Sequence, residues 1–342
     1  MLLPTTYTGA LLMAVLSMLC WGSWANTYKA SGSKWRFELF YFDYAFGVLL
    51  TALVAAFTLG EMGTDFLSFT DNIAVSPKRF LAFAAVAGVV FNLANMLLVA
   101  AISISGMAVA FPIGIGLALV IGVFWNYYLN PQGNPALLFG GVALVLAAIV
   151  CDAMAWSAHA KTQAQNTGKK KAKSSGKGIA ISLISGVLMG AFYPIVELSK
   201  QGDLGLGPYS IAVAFAGGVF ASTFIFNIYF MNLPIHGKAV EFGAYFQGSG
   251  KQHLLGLLGG ILWCTGAIAN FAAASAPKEV QVGPAVSYAL GQGATLVSAL
   301  WGLIVWKEFA GAEGKVPMLL AVMLALFVGG LSLISLAPVF AK

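Results

Sequence analysis

The sequence predicts an all-α polytopic membrane protein with ten transmembrane helices arranged as two inverted five-helix repeats. Hydrophobic residues make up 59% of the 342 residues and charged residues only 9%, which excludes a soluble globular domain. The apolar segments are about 20 residues long, the length that crosses a bilayer. Ala108–Phe124 recurs as Ala285–Trp301 with six identities in 17 positions, which indicates an internal duplication.

Ten apolar segments are long enough to span a membrane. Their approximate bounds are 7–28, 37–60, 79–103, 106–129, 135–157, 178–199, 207–231, 253–275, 281–306 and 315–339. The first lacks a basic leader and a cleavage site, so we expect it to be retained. Little polar sequence lies between the segments, so we expect no soluble catalytic domain.

A basic linker at 158–177 separates a first repeat at 1–157 from a second at 178–342. It carries six of the 18 basic residues, and we interpret that cluster as a topology signal rather than a nucleic-acid site. Its Gly, Ser and Lys content predicts a disordered segment, and it lacks the glycine spacing of a phosphate-binding loop.

The charges of the loops predict the orientation in the membrane. Five basic residues fall on the face that holds both termini and thirteen on the opposite face. Because positive residues stay cytoplasmic, we expect both termini outside a plasma membrane, which would be the inner membrane of a bacterium, and the linker inside.

The duplication continues in other segments, in the same order along the chain. Leu16–Trp24 matches Ile184–Phe192, and Gly88 with Phe91 matches Gly260 with Trp263. A repeat with an odd number of helices must insert upside down the second time, which is the architecture of alternating access. We therefore expect a solute site near the midplane, between the two halves.

Several motifs together resemble the drug/metabolite transporter superfamily. They are WGSW at 21–24, FDYAF at 42–46, GVVFNLAN at 88–95, the long glycine-rich run at 103–129, GGILW at 259–263 and the Trp-Lys-Glu ending at 306–308. Within that superfamily the pattern is similar to the glucose/ribose porters, the rhamnose–proton symporters and the plant ureide permeases. The ureide permeases have a nucleotide-binding motif in the central loop, whereas this linker is merely basic. The resemblance therefore implies a sugar before a ureide.

Polar and aromatic side chains inside the spans are the candidates for solute contact. Asn92 and Asn95 are three residues apart on one helix, and their amides suit a neutral solute, although they could equally join helices. Gln292 lies between two glycines of the repeat. Aromatic rings stack on sugars and on planar heterocycles alike, or serve only in packing. The aromatic candidates are Trp21, Trp24, Phe111, Tyr193, Trp263 and Tyr288.

Coupling to protons requires a carboxyl group inside the bundle. We expect Asp43 or Glu197 to serve, with Asp152 as a further candidate and Glu308 as a structural residue. Each could instead pair with a nearby lysine such as Lys29 or Lys200. No histidine spacing suggests a metal site, and no cofactor is expected.

The sequence therefore predicts a secondary transporter that imports a small neutral solute, with a sugar favoured and protons as coupling ion. The alternatives are a permease for a ureide or nucleobase-like heterocycle, and an exporter of metabolites or drugs. An intramembrane enzyme is disfavoured because no span holds a paired acid or a His/Asp motif.

Overall fold

The computed structural model describes residues 1–32, 35–63, 67–105, 107–167, 176–234, 238–280 and 282–340, and these are helical with no strands. Side chains at 103, 107, 108, 111, 112 and 163–167 lie outside the description. The helices are α1 Tyr7–Ser23, α2 Ala25–Ala30, α3 Phe37–Phe57, α4 Phe69–Val75, α5 Lys78–Ser105, α6 Met107–Leu129, α7 Pro135–Thr167, α8 Gly176–Leu198, α9 Pro208–Asn232, α10 Gly250–Ala274, α11 Pro284–Gln292, α12 Ala294–Leu300 and α13 Val316–Leu336. A short 3₁₀ helix covers Phe242–Gln247, and a π-helical turn covers Trp301–Val305.

The apolar helices confirm a multi-pass membrane protein. Among the described residues, nine helical stretches are long and apolar enough to cross a membrane. The fourth predicted segment contributes only the shorter apolar stretch Ile113–Leu129, so the count of ten stays a prediction.

Helix α7 is longer than its predicted span. It ends at Thr167, so residues 158–167 of the predicted linker are helical, and α8 begins at Gly176. The prediction of disorder was wrong for these residues, since alanine, lysine and glutamine at 158–165 favour helix and let α7 run on past its apolar part. Residues 168–175 lie outside the description.

Two of the spanning segments are interrupted. The first breaks between α1 and α2 at Trp24, and the ninth breaks at Gly293 between α11 and α12. The ninth then ends in the π-helical turn Trp301–Val305. Breaks and π turns of this kind are common where helices line functional sites.

The helices of the two halves pack in matching pairs. Helix α10 packs against α1 and α3, and α5 packs against α8 and α9. Close contacts through glycine recur at matching places. A Cβ at Gly88 would stand 2.1 Å from the carbonyl oxygen of Phe215, and one at Gly260 would stand 2.0 Å from that of Tyr44. Only glycine allows such an approach of two backbones.

The two ends of the bundle can be named by what they carry. The terminal face holds the start of α1 and the end of α13, where the Tyr7 hydroxyl donates to the Ser335 carbonyl. The linker face holds the end of α7 and the start of α8.

Candidate solute site

A cavity of about 150 Å³ lies where α1, α2, α5, α6, α8, α10, α11 and α12 meet. Five of the predicted solute-contact residues line it: Trp21, Trp24, Asn95, Trp263 and Gln292. Trp21 stacks on Trp263 with ring centroids 5.8 Å apart, and its indole N–H donates to the Trp263 carbonyl at 3.1 Å. This pair forms a rigid aromatic wall.

The cavity is lined in matching fashion by both halves of the chain. Met189 and Phe192 line it, and in the repeat they match Trp21 and Trp24. Phe91, which matches Trp263, lines it as well, and its ring centroid lies 4.4 Å from that of Trp263. Ile115, the repeat partner of Gln292, is also part of the wall. The internal repeat could have identified all four residues from sequence.

Two amides supply the main polar chemistry of the cavity. The Asn95 amide nitrogen donates to the Tyr41 hydroxyl at 3.1 Å, which orients the side chain, and no hydrogen bond to the Asn95 side-chain oxygen is formed by the described residues. Gln292 is 8% exposed, and its side chain has no hydrogen-bond partner among the described residues. No charged side chain lines this cavity in the described part of the chain. The site therefore suits an uncharged solute that both donates and accepts.

A vestibule of about 480 Å³ adjoins the cavity on the side of the linker face. Ala25, Thr295 and Ser298 line both spaces. The vestibule contains an ion pair between Lys29 and Glu308, and the Lys29 ammonium lies 4.4 Å from the centre of the Trp306 ring. A solute in the cavity would thus exchange with the linker side.

The terminal side of the cavity is closed by a hydrogen-bonded layer that we call the plug, formed by Ser17, Tyr193, Asn270, Ser287 and Tyr288. The Tyr193 hydroxyl donates to Asn270 at 2.7 Å, and the Asn270 amide donates to Ser17 at 3.2 Å and to the Ser287 carbonyl at 2.9 Å. The Tyr288 hydroxyl lies 3.2 Å from the carbonyl oxygens of residues 118 and 189. All five side chains have 0% exposure.

Three predicted solute contacts therefore lie elsewhere in this conformation. Tyr193 and Tyr288 belong to the plug rather than to the cavity wall. Asn92 donates to Ser222, at 2.8 Å, and to Thr223, at 3.1 Å, and so joins α5 to α9. The side chain of Phe111 lies outside the described residues.

The two predicted coupling carboxylates are remote from the cavity. Asp43 accepts a hydrogen bond from Tyr245 and lies 2.8 Å from Nδ1 of His253, near the linker face. Burial and the Asp43 carboxylate raise the pKa of the Tyr245 phenol. Glu197 pairs with Lys200 at 2.6 Å in a depression on the terminal face. His253 was missed as a partner because it is distant from Asp43 in the chain.

Comparisons with known proteins point to permeases. The family model described as ureide permease matches residues 40–178. Ureide permease 1 of Arabidopsis thaliana is 27% identical, with 94% of each chain covered. Ureide permease 2 of the same plant is 25% identical over 95% of this chain and 96% of that one. This chain is similar to ureide permeases.

A solved crystal structure shares the fold. It matches with a TM-score of 0.58 at 17% identity, covering 95% of this chain and 96% of that chain. The relatives are named as permeases and not as enzymes, in agreement with the sequence prediction. Their names support the ureide alternative rather than the favoured sugar, and the wider superfamily resemblance stays a prediction.

Proposed function

We propose that the chain is an alternating-access permease for a small, neutral, planar heterocycle of the ureide or nucleobase type. The observation that carries this proposal is the uncharged central cavity, which combines aromatic walls with two amides. Its volume of about 150 Å³ is below the ~300–1,000 Å³ of sites for drug-sized ligands and suits a small solute. The similarity to ureide permeases supports the same solute class.

The chemistry of Gln292 fits the edge of such a molecule. A carboxamide presents a donor and an acceptor side by side, so it can pair with an N–H and a C=O that are adjacent on a ureide or imide ring. Asn95 offers a further acceptor across the cavity. The aromatic walls favour a flat solute, because offset stacking gains about 0.5–1.5 kcal/mol beyond burial.

The transport cycle follows from the closed and open sides of the cavity. In this conformation the vestibule connects the cavity to the linker face, and the plug separates it from the terminal face. The matching helix pairs and the matching cavity residues support an inverted repeat. In the second conformation of such a repeat, the cavity would be open to the terminal face and closed to the linker face. We place the linker face in the cytoplasm on the charge distribution of the loops, and the conformation is then open to the inside.

Binding can be measured through the tryptophans that line the cavity. Uracil, a planar imide, should quench the fluorescence of the purified protein, and glucose should not. Gln292→Leu should weaken uracil binding about tenfold, as expected for the loss of about 1–2 kcal/mol of hydrogen bonding. Gln201→Leu, which alters an exposed amide outside the cavity, is the matched control.

Three results would contradict this proposal. Quenching by glucose with no response to uracil would indicate that the solute is a sugar. Equal affinities for uracil in wild type and Gln292→Leu would show that Gln292 does not bind the solute. Efflux of lipophilic cations from vesicles, with no heterocycle uptake, would support the exporter alternative.

A further inference from the structure

The vestibule holds a carboxylate that neither the solute site nor the structural ion pairs use. Asp152, on α7, lines the vestibule together with Lys29 and Glu308. Because no described residue that lines the central cavity is charged, a carboxylate in the adjoining space is the nearest group that can bind a proton. The vestibule adjoins the cavity, and Ala25, Thr295 and Ser298 line both spaces.

The charges in the vestibule do not balance. Lys29 supplies one ammonium and forms its ion pair with Glu308. Within the described residues, no lysine, arginine or histidine nitrogen lies within 4.0 Å of Asp152. The Asp152 oxygen Oδ1 is buried and has no hydrogen-bond partner in the part of the chain that the structure describes. An ionised carboxylate in that position costs several kcal/mol, and a bound proton removes the charge.

The charged and titratable groups around Asp152 also favour the binding of a proton to its carboxylate. Glu308 lines the same vestibule and carries a like charge, while Lys29 is already paired with Glu308. Tyr28, on α2, also lines the vestibule, and His159 lies two turns further along α7. Helices α6 and α13 pack along α7 and have no charged residue in their sequences, and the tyrosines of α6 lie at its terminal end.

The other carboxylates inside the spans already have partners. Asp43 is bound by His253 and Tyr245, Glu197 is paired with Lys200, and Glu38 is paired with Arg36. We propose that Asp152, in the wall of the vestibule, binds the proton that drives uptake. This inference rests on the proposed transport function, and it moves the coupling role away from Asp43 and Glu197.

The test uses the full chain in sealed vesicles with labelled uracil. A proton gradient of one pH unit should drive wild type to about tenfold accumulation if one proton moves with each solute. Asp152→Asn keeps the side-chain volume but cannot release a proton, so accumulation should fall to about onefold while exchange of labelled for unlabelled uracil persists. Glu241→Gln, an equal charge change at an exposed site outside the vestibule, should accumulate as wild type does.

Wild-type accumulation in Asp152→Asn would overturn the proposal, and so would loss of accumulation in Asp43→Asn alone. If wild type exchanges no uracil at all, the proposed function fails instead. Should Asp152→Asn not fold, uracil affinity of the wild type provides a second measurement. If the binding of the proton and the solute is coupled, the uracil affinity must change with pH. A uracil affinity that is independent of pH would therefore also overturn the proposal.

Discussion

Replacing Asn270 with leucine should open the terminal side of the solute cavity. The Asn270 side chain makes three hydrogen bonds in the plug, to Ser17, Tyr193 and the Ser287 carbonyl, and all of these groups are fully buried. At about 0.6–1 kcal/mol for each bond inside a membrane protein, their loss weakens the closed plug by about 2 kcal/mol. That free energy shifts the balance between closed and open plug by roughly 30-fold.

The assay is labelling of a cysteine beneath the plug. Ala294→Cys lines the cavity, and it would be made in a chain whose natural cysteines, Cys20, Cys151 and Cys264, are replaced. A membrane-impermeant thiol reagent added from the terminal side should react roughly 30-fold faster when Asn270→Leu is present. Adding Tyr193→Phe should change the rate little more, because the Tyr193 hydroxyl has then already lost its partner.

Asn126→Leu provides the matched control for this experiment. Asn126 is also a fully buried asparagine, but its amide donates within its own helix, to the Gly122 carbonyl at 2.7 Å. Its replacement should leave the labelling rate unchanged. An unchanged rate in Asn270→Leu, or an equal increase in Asn126→Leu, would show that the plug does not control access from the terminal side.

Three further predictions concern packing, pH and orientation. Gly218→Ala should lower the melting temperature of the purified protein strongly, because the added Cβ would stand 2.0 Å from the Ala85 carbonyl oxygen. The adjacent Gly217→Ala should not lower it, because a Cβ at Gly217 would have no atom within 4 Å. Burial and Asp43 raise the pKa of Tyr245 above its ordinary 10.0. The contribution of the protonated phenol to the free energy of unfolding is therefore fully present below pH 10 and is lost as the pH rises further. Tyr245→Phe should therefore flatten the decline in melting temperature above about pH 10. A reporter fused after Lys342 should read as external, and a cytoplasmic reading would contradict the predicted orientation.

Hydropathy was sufficient to place the long apolar helices, though not the short α4, because the bilayer fixes both the length and the composition of a span. The predicted bounds agree with the structure within a few residues at most ends. The exception is the end of α7, where the chain leaves the apolar environment and hydropathy no longer says where a helix ends. Helix propensity decides there, and it carries α7 to Thr167.

The candidate site was only partly predictable because residue type does not specify the direction of a side chain. Asn92 and Asn95 are three positions apart, which leaves about 60° between them around the helix axis. That difference is enough to direct Asn92 toward α9 and Asn95 toward the cavity. Tyr193 and Tyr288 have the composition of solute contacts but lie one layer closer to the terminal face. The role of Tyr193 depends on Asn270, which no motif distinguished, and that of Tyr288 on backbone carbonyls of α6 and α8.

The two halves pack through similar contacts but are not equally closed. A Cβ at Gly22 would stand 2.6 Å from the Ala294 carbonyl oxygen, and one at Gly190 would stand 3.0 Å from that of Ala118, so each half has a close glycine crossing.

At the first crossing both spans are interrupted, after Ser23 and at Gly293. At the second crossing α6 and α8 are continuous. The breaks give the first crossing points at which its linker-side ends can tilt, and the corresponding weak point of α8 is Pro194, on the terminal side of Gly190. Opening the terminal side therefore requires the α6 and α8 crossing to shift together with the plug. The hydrogen bonds of Asn270 are then part of the barrier between the two access states.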